Sequence, residues 1–291
     1  MPLTRINLSI YFNEHVDFQS FSGYAVRGLF YNLINRADPV FASALHNSQR
    51  LAPFSVTPVF VEKDGELYTS FRKVERGPAM VSFSVLTLDL TDAMIKLIQE
   101  GLSDLTISQH KVMLNSVKIE NLEFKSLYDG SKQIESFRTM FISPTFFRLT
   151  PRDLLKKYSK DEKKDKFVAS PYRFWPLPDP ILFFRSAARL WRKFSNFSLD
   201  LDRFIEWVEL GGVALSGYPD GIRTYRVYEH PTTNKWCVGF VGTVYYSIVR
   251  DLYSSENARI VETLLKFSEY ANVGGGRTAG MGVIKYQRIQ D

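Results

Sequence analysis

The sequence has little sulfur and little histidine. Among its 291 residues there are one cysteine, Cys237, and four histidines. A single cysteine cannot form an internal disulfide, which favours a reducing compartment. These residues show no metal-ligand spacing, and neither a Walker motif nor G-x-S-x-G is present. The sequence therefore predicts no metal and no cofactor, and any phosphate chemistry is expected to be metal-free.

Long hydrophobic runs are lacking as well. No stretch approaches the ~18 consecutive apolar residues of a membrane span, and the N-terminal MPLTRINLSIYF lacks the apolar run of a signal peptide. We therefore expect a soluble, cytoplasmic protein that does not contact membranes. Apolar residues make up 45% of the chain, which is enough for a sizeable core. The net charge of +6 and the pI of about 9.2 favour a polyanionic partner.

The first half of the chain predicts alternating strands and helices. Apolar residues at every second position indicate a strand at 5–12, and the next segment has helical periodicity at 24–36. Asp38 and Pro39 then begin a short helix that Asp38 caps. The other predicted elements are strands at 55–62, 67–72, 81–88 and 116–124, and a helix at 92–102. This order is close to a ferredoxin-like βαββαβ unit with an extra strand or hairpin.

A polar, turn-rich segment at 126–136 is interpreted as the boundary between two domains, 1–128 and 137–291. After it the pattern predicts a strand at 137–149 broken at Pro144, a highly charged segment at 152–166, a helix at 180–194, a hairpin of strands 223–230 and 236–246, a helix at 256–270 and a strand at 281–289. This is again roughly βαββαβ. We therefore predict an α+β fold of two tandem ferredoxin-like (RRM-like) domains with a glycine-rich loop near the C-terminus.

The first predicted helix has a core face and an outer face. At 100° per residue the core stripe consists of Val26, Leu29, Phe30, Leu33 and Ile34. The outer face carries Tyr24, Arg27, Gly28, Tyr31 and Asn35. A glycine inside a helix costs about 1 kcal/mol relative to alanine, but it would let another chain approach closely. Tyr31 is thus interpreted either as a site residue or as a contact to the second domain.

His46 lies at the end of the short helix that begins at Pro39, and it points away from the apolar residues of that helix. The C-terminal end of a helix favours a protonated imidazole, which suits proton transfer near neutral pH. The alternative is an exposed histidine that caps helix carbonyls. His15, His110 and His230 have weaker contexts, in loops or at a hairpin tip.

Basic residues concentrate in the second half of the chain. The helix at 180–194 carries a stripe of Arg185, Arg189, Arg192 and Lys193 at i, i+4, i+7 and i+8. Such a stripe suits a phosphodiester backbone, although a solvent face paired with acids is an equal alternative. The charged segment at 152–166 is interpreted as a solvated surface.

The stretch VGGGRTAGMGVIKY, residues 273–286, holds five glycines within nine residues, and Arg277 lies among them. Glycine reaches φ > 0 without a side chain in the way, so such a loop can aim several N–H groups at a phosphate. The alternative is a long hairpin or bulge loop.

Three stretches of this sequence resemble the CRISPR-associated endoribonucleases that cleave repeats in precursor CRISPR RNA, within the repeat-associated (RAMP) superfamily. They are GYAVRGLFYNLINRADPVFASALHNSQRLAPFSVTPVF from Gly23, FISPTFF at 141–147, and GGGRTAGMGVIKY at the C-terminus. Their order and spacing cover nearly the whole chain. The resemblance implies two ferredoxin-like domains with CRISPR repeat RNA bound at or near the cleft between them.

The resemblance also implies metal-independent cleavage, in which the ribose 2′-OH attacks the adjacent phosphorus and leaves a 2′,3′-cyclic phosphate and a 5′-OH. It marks His46 as general base or acid and Tyr31 as its partner. The family lysine falls near Ala52, so Arg50 is the nearest cation for phosphate charge. The expected RNA-binding residues are Arg27, Arg185, Arg189, Arg192, Gly274, Gly275, Gly276, Arg277, Gly280 and Gly282.

Further partners consistent with this resemblance are subunits of a CRISPR effector complex and a second copy of the chain. Two other functions stay open from the sequence. One is a non-catalytic RNA-binding subunit of an effector complex, which would bind repeats without cutting them. The other is a protein-binding scaffold, whose RNA affinity would be weak, salt-dependent and indifferent to sequence.

Overall fold

In the computed structural model, which describes residues 2–47, 51–63, 66–149, 173–229 and 236–289, two antiparallel sheets follow one another along the chain. The first sheet has the order β5-β4-β7-β1-β9-β8, and β3 also pairs with β7. Its strands are β1 Pro2–Phe12, β3 Phe54–Val56, β4 Phe60–Lys63, β5 Glu66–Thr69, β7 Gly77–Val85, β8 Thr106–Ile107 and β9 His110–Glu123. A separate ribbon pairs β2 Val16–Asp17 with β6 Lys73–Val74.

Helices α1 Ser22–Ala37, α2 Pro39–Asn47 and α3 Leu88–Glu100 complete the first half, and α4 Phe124–Asp129 leads out of it. The even-numbered apolar side chains of β1 are fully buried, as its period-2 pattern predicts. Central strands β9, β1 and β7 are joined through helices α1 and α3. The order β9-β1-β7-β3 is that of a ferredoxin-like sheet, so this part of the fold prediction is confirmed.

The second sheet has the order β13-β15-β10-β16, and β14 pairs with β15. Its strands are β10 Ser136–Thr145, β13 Val213–Gly217, β14 Ile222–Glu229, β15 Trp236–Ile248 and β16 Ile284–Arg288. A two-stranded ribbon pairs β11 Phe147–Leu149 with β12 Arg173–Trp175. The described residues of this half contain the helices α5 Pro180–Phe194, α6 Leu201–Glu209 and α7 Ser255–Ala271, together with short 3₁₀ turns at Arg250–Leu252 and Arg277–Ala279. This is the second ferredoxin-like unit that the sequence predicts.

Several local predictions were wrong. Strand β10 continues through Pro144 to Thr145 and is interrupted at Phe146 instead. The segment predicted as a polar linker begins within α4, because Phe124 and Leu127 give it a buried side. Helix α6 was missed, although the Asp200 side chain caps it. The charged segment 152–166 and the turns at 64–65 and 231–234 lie outside the described residues.

The two halves share buried contacts. Leu3, Leu86 and Phe124 belong to the same apolar cluster as the helices of the second half. The Arg5 side chain donates to the Glu269 carbonyl, and its guanidinium lies 4.2 Å from the centre of the Tyr270 ring. The end of α7 is thereby fixed against the first sheet, and the loop that follows α7 reaches the start of α1.

Candidate active site and basic cleft

Helix α1 places its outer face along a groove on the protein surface. Its core stripe is buried as predicted, with Val26, Leu29, Phe30, Leu33 and Ile34 at most 2% exposed. The groove has a volume of about 520 Å³ and is bounded on its other side by α2. Its lining consists of Tyr24, Arg27, Gly28, Tyr31, Asn32, Asn35, Ala42, Ser43 and His46. The outer face predicted from the sequence therefore forms most of the groove.

The structure brings Tyr31 and His46 together. Their ring centres are 5.1 Å apart, with the planes at 78°. Tyr31 is half-buried because its ring packs edge-on against Phe54, 5.7 Å between centres. Helix α2 is held in place at its start, where the Asp38 carboxylate accepts from the Phe41 N–H at 2.9 Å. This cap, predicted from the sequence, fixes the direction in which α2 carries His46 to the groove.

The polar ends of these side chains are available to a ligand. Within the described part of the chain, neither the Tyr31 hydroxyl nor the His46 ring forms a hydrogen bond or ion pair. The other two described histidines differ, since His15 lies 3.1 Å from Glu75 and His110 lies 2.9 Å from Glu14. Of the described histidines, His46 is thus the one that lies beside a tyrosine and has no carboxylate partner among the described residues.

A second, more enclosed depression lies where the two halves meet. Its volume is about 420 Å³, and it is lined by Leu51, Ala52, Phe147, Arg148, Leu182, Arg185, Ser186, Arg189, Leu190, Gly274, Gly275, Gly276, Arg277 and Thr278. We call it the basic cleft, since four arginines contribute to its wall. It joins residues from the segment after α2, from α5 and from the glycine-rich loop. No local sequence pattern marks Arg148, which lies between two apolar residues in strand β11.

The arginines of α5 are exposed on one stripe, but they are not equivalent. Arg185 donates through Nε to the Glu209 carboxylate at 3.0 Å, and Arg192 donates to Asp202 at 2.6 Å. Arg189 lines the basic cleft and, among the described residues, has no ion pair or hydrogen bond. Two arginines of the stripe therefore pair with acids, and the predicted contact of Arg189 with RNA stays a prediction.

The glycines of the C-terminal loop permit close packing. Four of them, Gly274, Gly276, Gly280 and Gly282, have φ between 72° and 75°, which side chains other than glycine rarely adopt. A Cβ on Gly282 would lie 1.9 Å from the Val273 carbonyl oxygen, and one on Gly274 would lie 2.2 Å from that of Phe146. Gly280 packs against Gly23 at the start of α1. The loop is thus wedged between the two halves.

Most glycine N–H groups of this loop are used inside the protein. Gly275 donates to the Phe146 carbonyl at 2.9 Å, and Gly282 donates to that of Pro144 at 3.1 Å. Gly280 donates to the Arg277 carbonyl at 3.3 Å, and Gly274 to the Ser186 hydroxyl at 2.9 Å. Gly280 and Gly282 are also buried, so they contribute to packing, and their predicted contact with RNA stays a prediction. Gly274, Gly275 and Gly276 do line the basic cleft.

Arg277 points into the protein instead of into solvent. It is 5% exposed, and its guanidinium donates to the carbonyls of Ala271 at 2.6 Å and Ala52 at 2.9 Å. Burial, and then the nearby charge of Arg189, lower the pKa of Arg277 to about 9. Arg277 therefore ties the segment after α2 to the glycine-rich loop, and its predicted contact with RNA stays a prediction.

Asn272, which the sequence-based predictions did not include, also connects the glycine-rich loop to the first half of the chain. It follows α7 with φ of 56° and ψ of 166°, a backbone conformation that residues other than glycine rarely adopt and that the surrounding contacts must hold in place. Its side-chain amide donates to the Val56 carbonyl at 2.9 Å and to that of Met281 at 3.2 Å. The available signal in the sequence was an asparagine directly after a long predicted helix and shortly before the glycines.

The remaining predictions concern Arg50, His230, metal binding and membrane spans. Arg50 and His230 lie outside the described residues. Over the described ranges no group of three or more His, Cys, Asp or Glu side chains is arranged to hold a metal ion. Among the helices that the structure describes, none is long and apolar enough to cross a membrane.

Comparison with known proteins relates this geometry to a family. A family model described as CRISPR-associated endoribonuclease Cas6 matches residues 140–284. Similar solved structures include two Cas6 product complexes, one at 19% identity with a TM-score of 0.73 and one at 20% with 0.70, each covering 99% of this chain and 100% of that chain. Thermus thermophilus Cas6 is 20% identical over 99% of this chain and 98% of its own, with a TM-score of 0.66. No curated protein matches the chain.

Proposed function

The chain belongs to the CRISPR-associated Cas6 endoribonuclease family, and from that premise we propose that it binds CRISPR repeat RNA and cleaves precursor CRISPR RNA without a metal ion. The observation that carries this proposal is the pairing of Tyr31 with His46 in an open groove, in a chain that also has a basic cleft. An imidazole and a phenol at this separation can serve one reacting phosphate. The cleft supplies the positive charge that an RNA backbone requires.

In the proposed reaction the ribose 2′-oxygen attacks the adjacent phosphorus and the bond from phosphorus to the 5′-oxygen breaks. The 2′-OH proton leaves to a base, and the departing 5′-oxygen receives a proton from an acid. The products are a 2′,3′-cyclic phosphate and a 5′-OH. His46 acts as the base or the acid, and Tyr31 orients the 2′-OH. Both groups lie at a groove open to solvent, so an RNA strand can reach them.

RNA binding is assigned to the basic cleft and its surroundings. Arg189 is the principal phosphate ligand of this cleft, because the carboxylates of Glu209 and Asp202 already compensate Arg185 and Arg192. Unpaired nucleotides suit the wall formed by the glycine-rich loop, where a backbone without side chains allows close approach. Arg50 stays a candidate for charge stabilisation at the phosphate. Effector subunits and a second copy of the chain stay candidate partners, in the cytoplasm.

Replacement of His46 tests the proposal. We expect His46→Ala to lower the single-turnover cleavage rate of an end-labelled CRISPR repeat RNA from the source genome by about 10²–10⁴, with little change in RNA affinity. His110→Ala is a matched control, since His110 pairs with Glu14 away from the groove. Equal rates for His46→Ala and wild type would remove His46 from the mechanism. Tight binding by the wild-type protein without any cut would support the non-catalytic RNA-binding subunit instead.

A further inference from the structure

The groove that contains Tyr31 and His46 is also lined by a positively charged side chain, Arg27. Arg27 lies one helical turn before Tyr31 on α1, and the centre of its guanidinium is 5.4 Å from the centre of the Tyr31 ring. Among the described residues that line this groove, Arg27 is the only lysine or arginine. The three side chains therefore form a continuous row from guanidinium to phenol to imidazole.

Arg27 has no competing anion in the described part of the chain. No hydrogen bond or ion pair of Arg27 with a described residue is present. This distinguishes it from Arg36 on the same helix, whose guanidinium donates to the Ser103 carbonyl at 2.9 Å. An arginine held at a groove by its contact with an aromatic ring, and without a carboxylate, retains its donors for an external anion.

The space beside Arg27 is open to a phosphate group. Gly28 follows Arg27 on the groove floor, and a Cβ placed on it would meet nothing within 4 Å. The glycine at this point lowers helix stability relative to alanine. A phosphodiester that lies over Gly28 would have the guanidinium, the phenol and the imidazole around it.

We propose that Arg27 is the cation that stabilises the charge of the pentavalent phosphate during cleavage, in place of Arg50. This role rests on the proposed endoribonuclease function. The guanidinium donates hydrogen bonds to the non-bridging oxygens, whose negative charge grows as the 2′-oxygen attacks and before the 5′-oxygen leaves. No proton is transferred to or from Arg27, since an arginine side chain stays protonated at neutral pH.

The test compares Arg27→Ala, Arg27→Lys and the control Arg36→Ala in single-turnover cleavage at saturating repeat RNA. We expect a fall of about 10²–10³ in rate for Arg27→Ala, the scale of losing one such donor. Arg27→Lys should recover part of this rate, because an ammonium supplies the charge but not the planar pair of donors. Arg36→Ala should cleave at the wild-type rate.

A second readout separates charge stabilisation from a structural effect. Sulfur in place of one non-bridging oxygen of the scissile phosphate should slow the wild-type protein in one diastereomer, and this sensitivity should be smaller in Arg27→Ala. Unchanged rates at saturation, or a loss of affinity alone, would overturn the role of Arg27. A wild-type protein that does not cleave would overturn the proposed function together with it. If His46→Ala cleaves normally while Arg27→Ala is slow, only the role of His46 fails.

Discussion

Two glycines of α1 provide a matched pair for testing how the helix is seated. Gly23 lies at the start of α1, where an added Cβ would be 2.1 Å from the Ala279 carbonyl oxygen. Gly28 lies one and a half turns later on the groove side, with nothing within 4 Å of such a Cβ. The same substitution, glycine to alanine, should therefore have opposite effects on the free energy of unfolding.

The magnitudes follow from contact distance and helix propensity. Ordinary contact begins at 3.4 Å, so Gly23→Ala requires α1 and the glycine-rich loop to separate by about 1.3 Å, the difference between 3.4 and 2.1. Because the obstacle is backbone, no side chain can rotate away, and we expect a loss of about 1–3 kcal/mol. Gly28→Ala should gain up to about 1 kcal/mol, since alanine is the better helix former.

Denaturant unfolding of both variants, followed by circular dichroism, measures the difference directly. We expect Gly28→Ala to unfold at higher denaturant than Gly23→Ala by an amount worth about 1–4 kcal/mol, the sum of the two effects. Gly23→Ala should also cleave RNA more slowly, because a misplacement of about 1 Å near a reacting group can cost about 10²-fold. Equal stability of the two variants would refute the close packing of the glycine-rich loop on α1.

Three further predictions concern charged side chains. Burial raises the pKa of Glu262, but the Lys132 N–H, Arg288 and Tyr286 outweigh it and lower the net pKa below 4.5. The ionised carboxylate therefore stabilises the fold above about pH 4.5, and this contribution is lost as the pH falls through its lowered pKa. Glu262→Gln should lower the free energy of unfolding by about 2–3 kcal/mol at pH 7 and by less at pH 3.5. Denaturant unfolding of both proteins at the two pH values measures this difference. Arg189→Ala should weaken RNA binding more than Arg192→Ala and reduce the salt slope of log K by about 0.7–0.9; filter binding at several salt concentrations would contradict this if the two variants behaved alike. Arg277→Lys should lose about 1–3 kcal/mol of stability, because the Ala271 and Ala52 carbonyls accept from two different guanidinium nitrogens and lysine has a single nitrogen. A denaturation midpoint equal to that of wild type would argue against this tie.

Much of the fold followed from patterns in the sequence. The strand at β1, helices α1, α5 and α7, and the cap at Asp38 were predicted within one to three residues, because each has a regular apolar period or a known end signal. Helix α6 was missed because its 9 residues give only a short apolar period, although one side of it is buried. Pro144 did not end its strand, because no ladder partner of β10 requires an N–H at that position.

The groove could be predicted in part and the role of the glycine-rich loop could not. The outer face of α1 follows from helical period alone, so Arg27, Tyr31 and Gly28 were found together. The period cannot show which way a loop arginine points. Arg277 turned out to donate to the nearby carbonyl of Ala271 and to the carbonyl of Ala52 on a distant segment, and this second contact has no local signal. The acids that pair with Arg185 and Arg192 both lie on α6, and the sequence could not identify them for the same reason.

The central claim is metal-free cleavage through the ribose 2′-OH. It is tested most directly by incubating the purified protein, in excess EDTA, with end-labelled CRISPR repeat RNA and with the same RNA carrying a single 2′-deoxy sugar at the cut position. We predict one cut in the all-ribose RNA, a 2′,3′-cyclic phosphate and a 5′-OH at the new ends, and no cut in the deoxy RNA. Cleavage of the deoxy RNA, or cleavage that EDTA abolishes, would contradict the proposed mechanism.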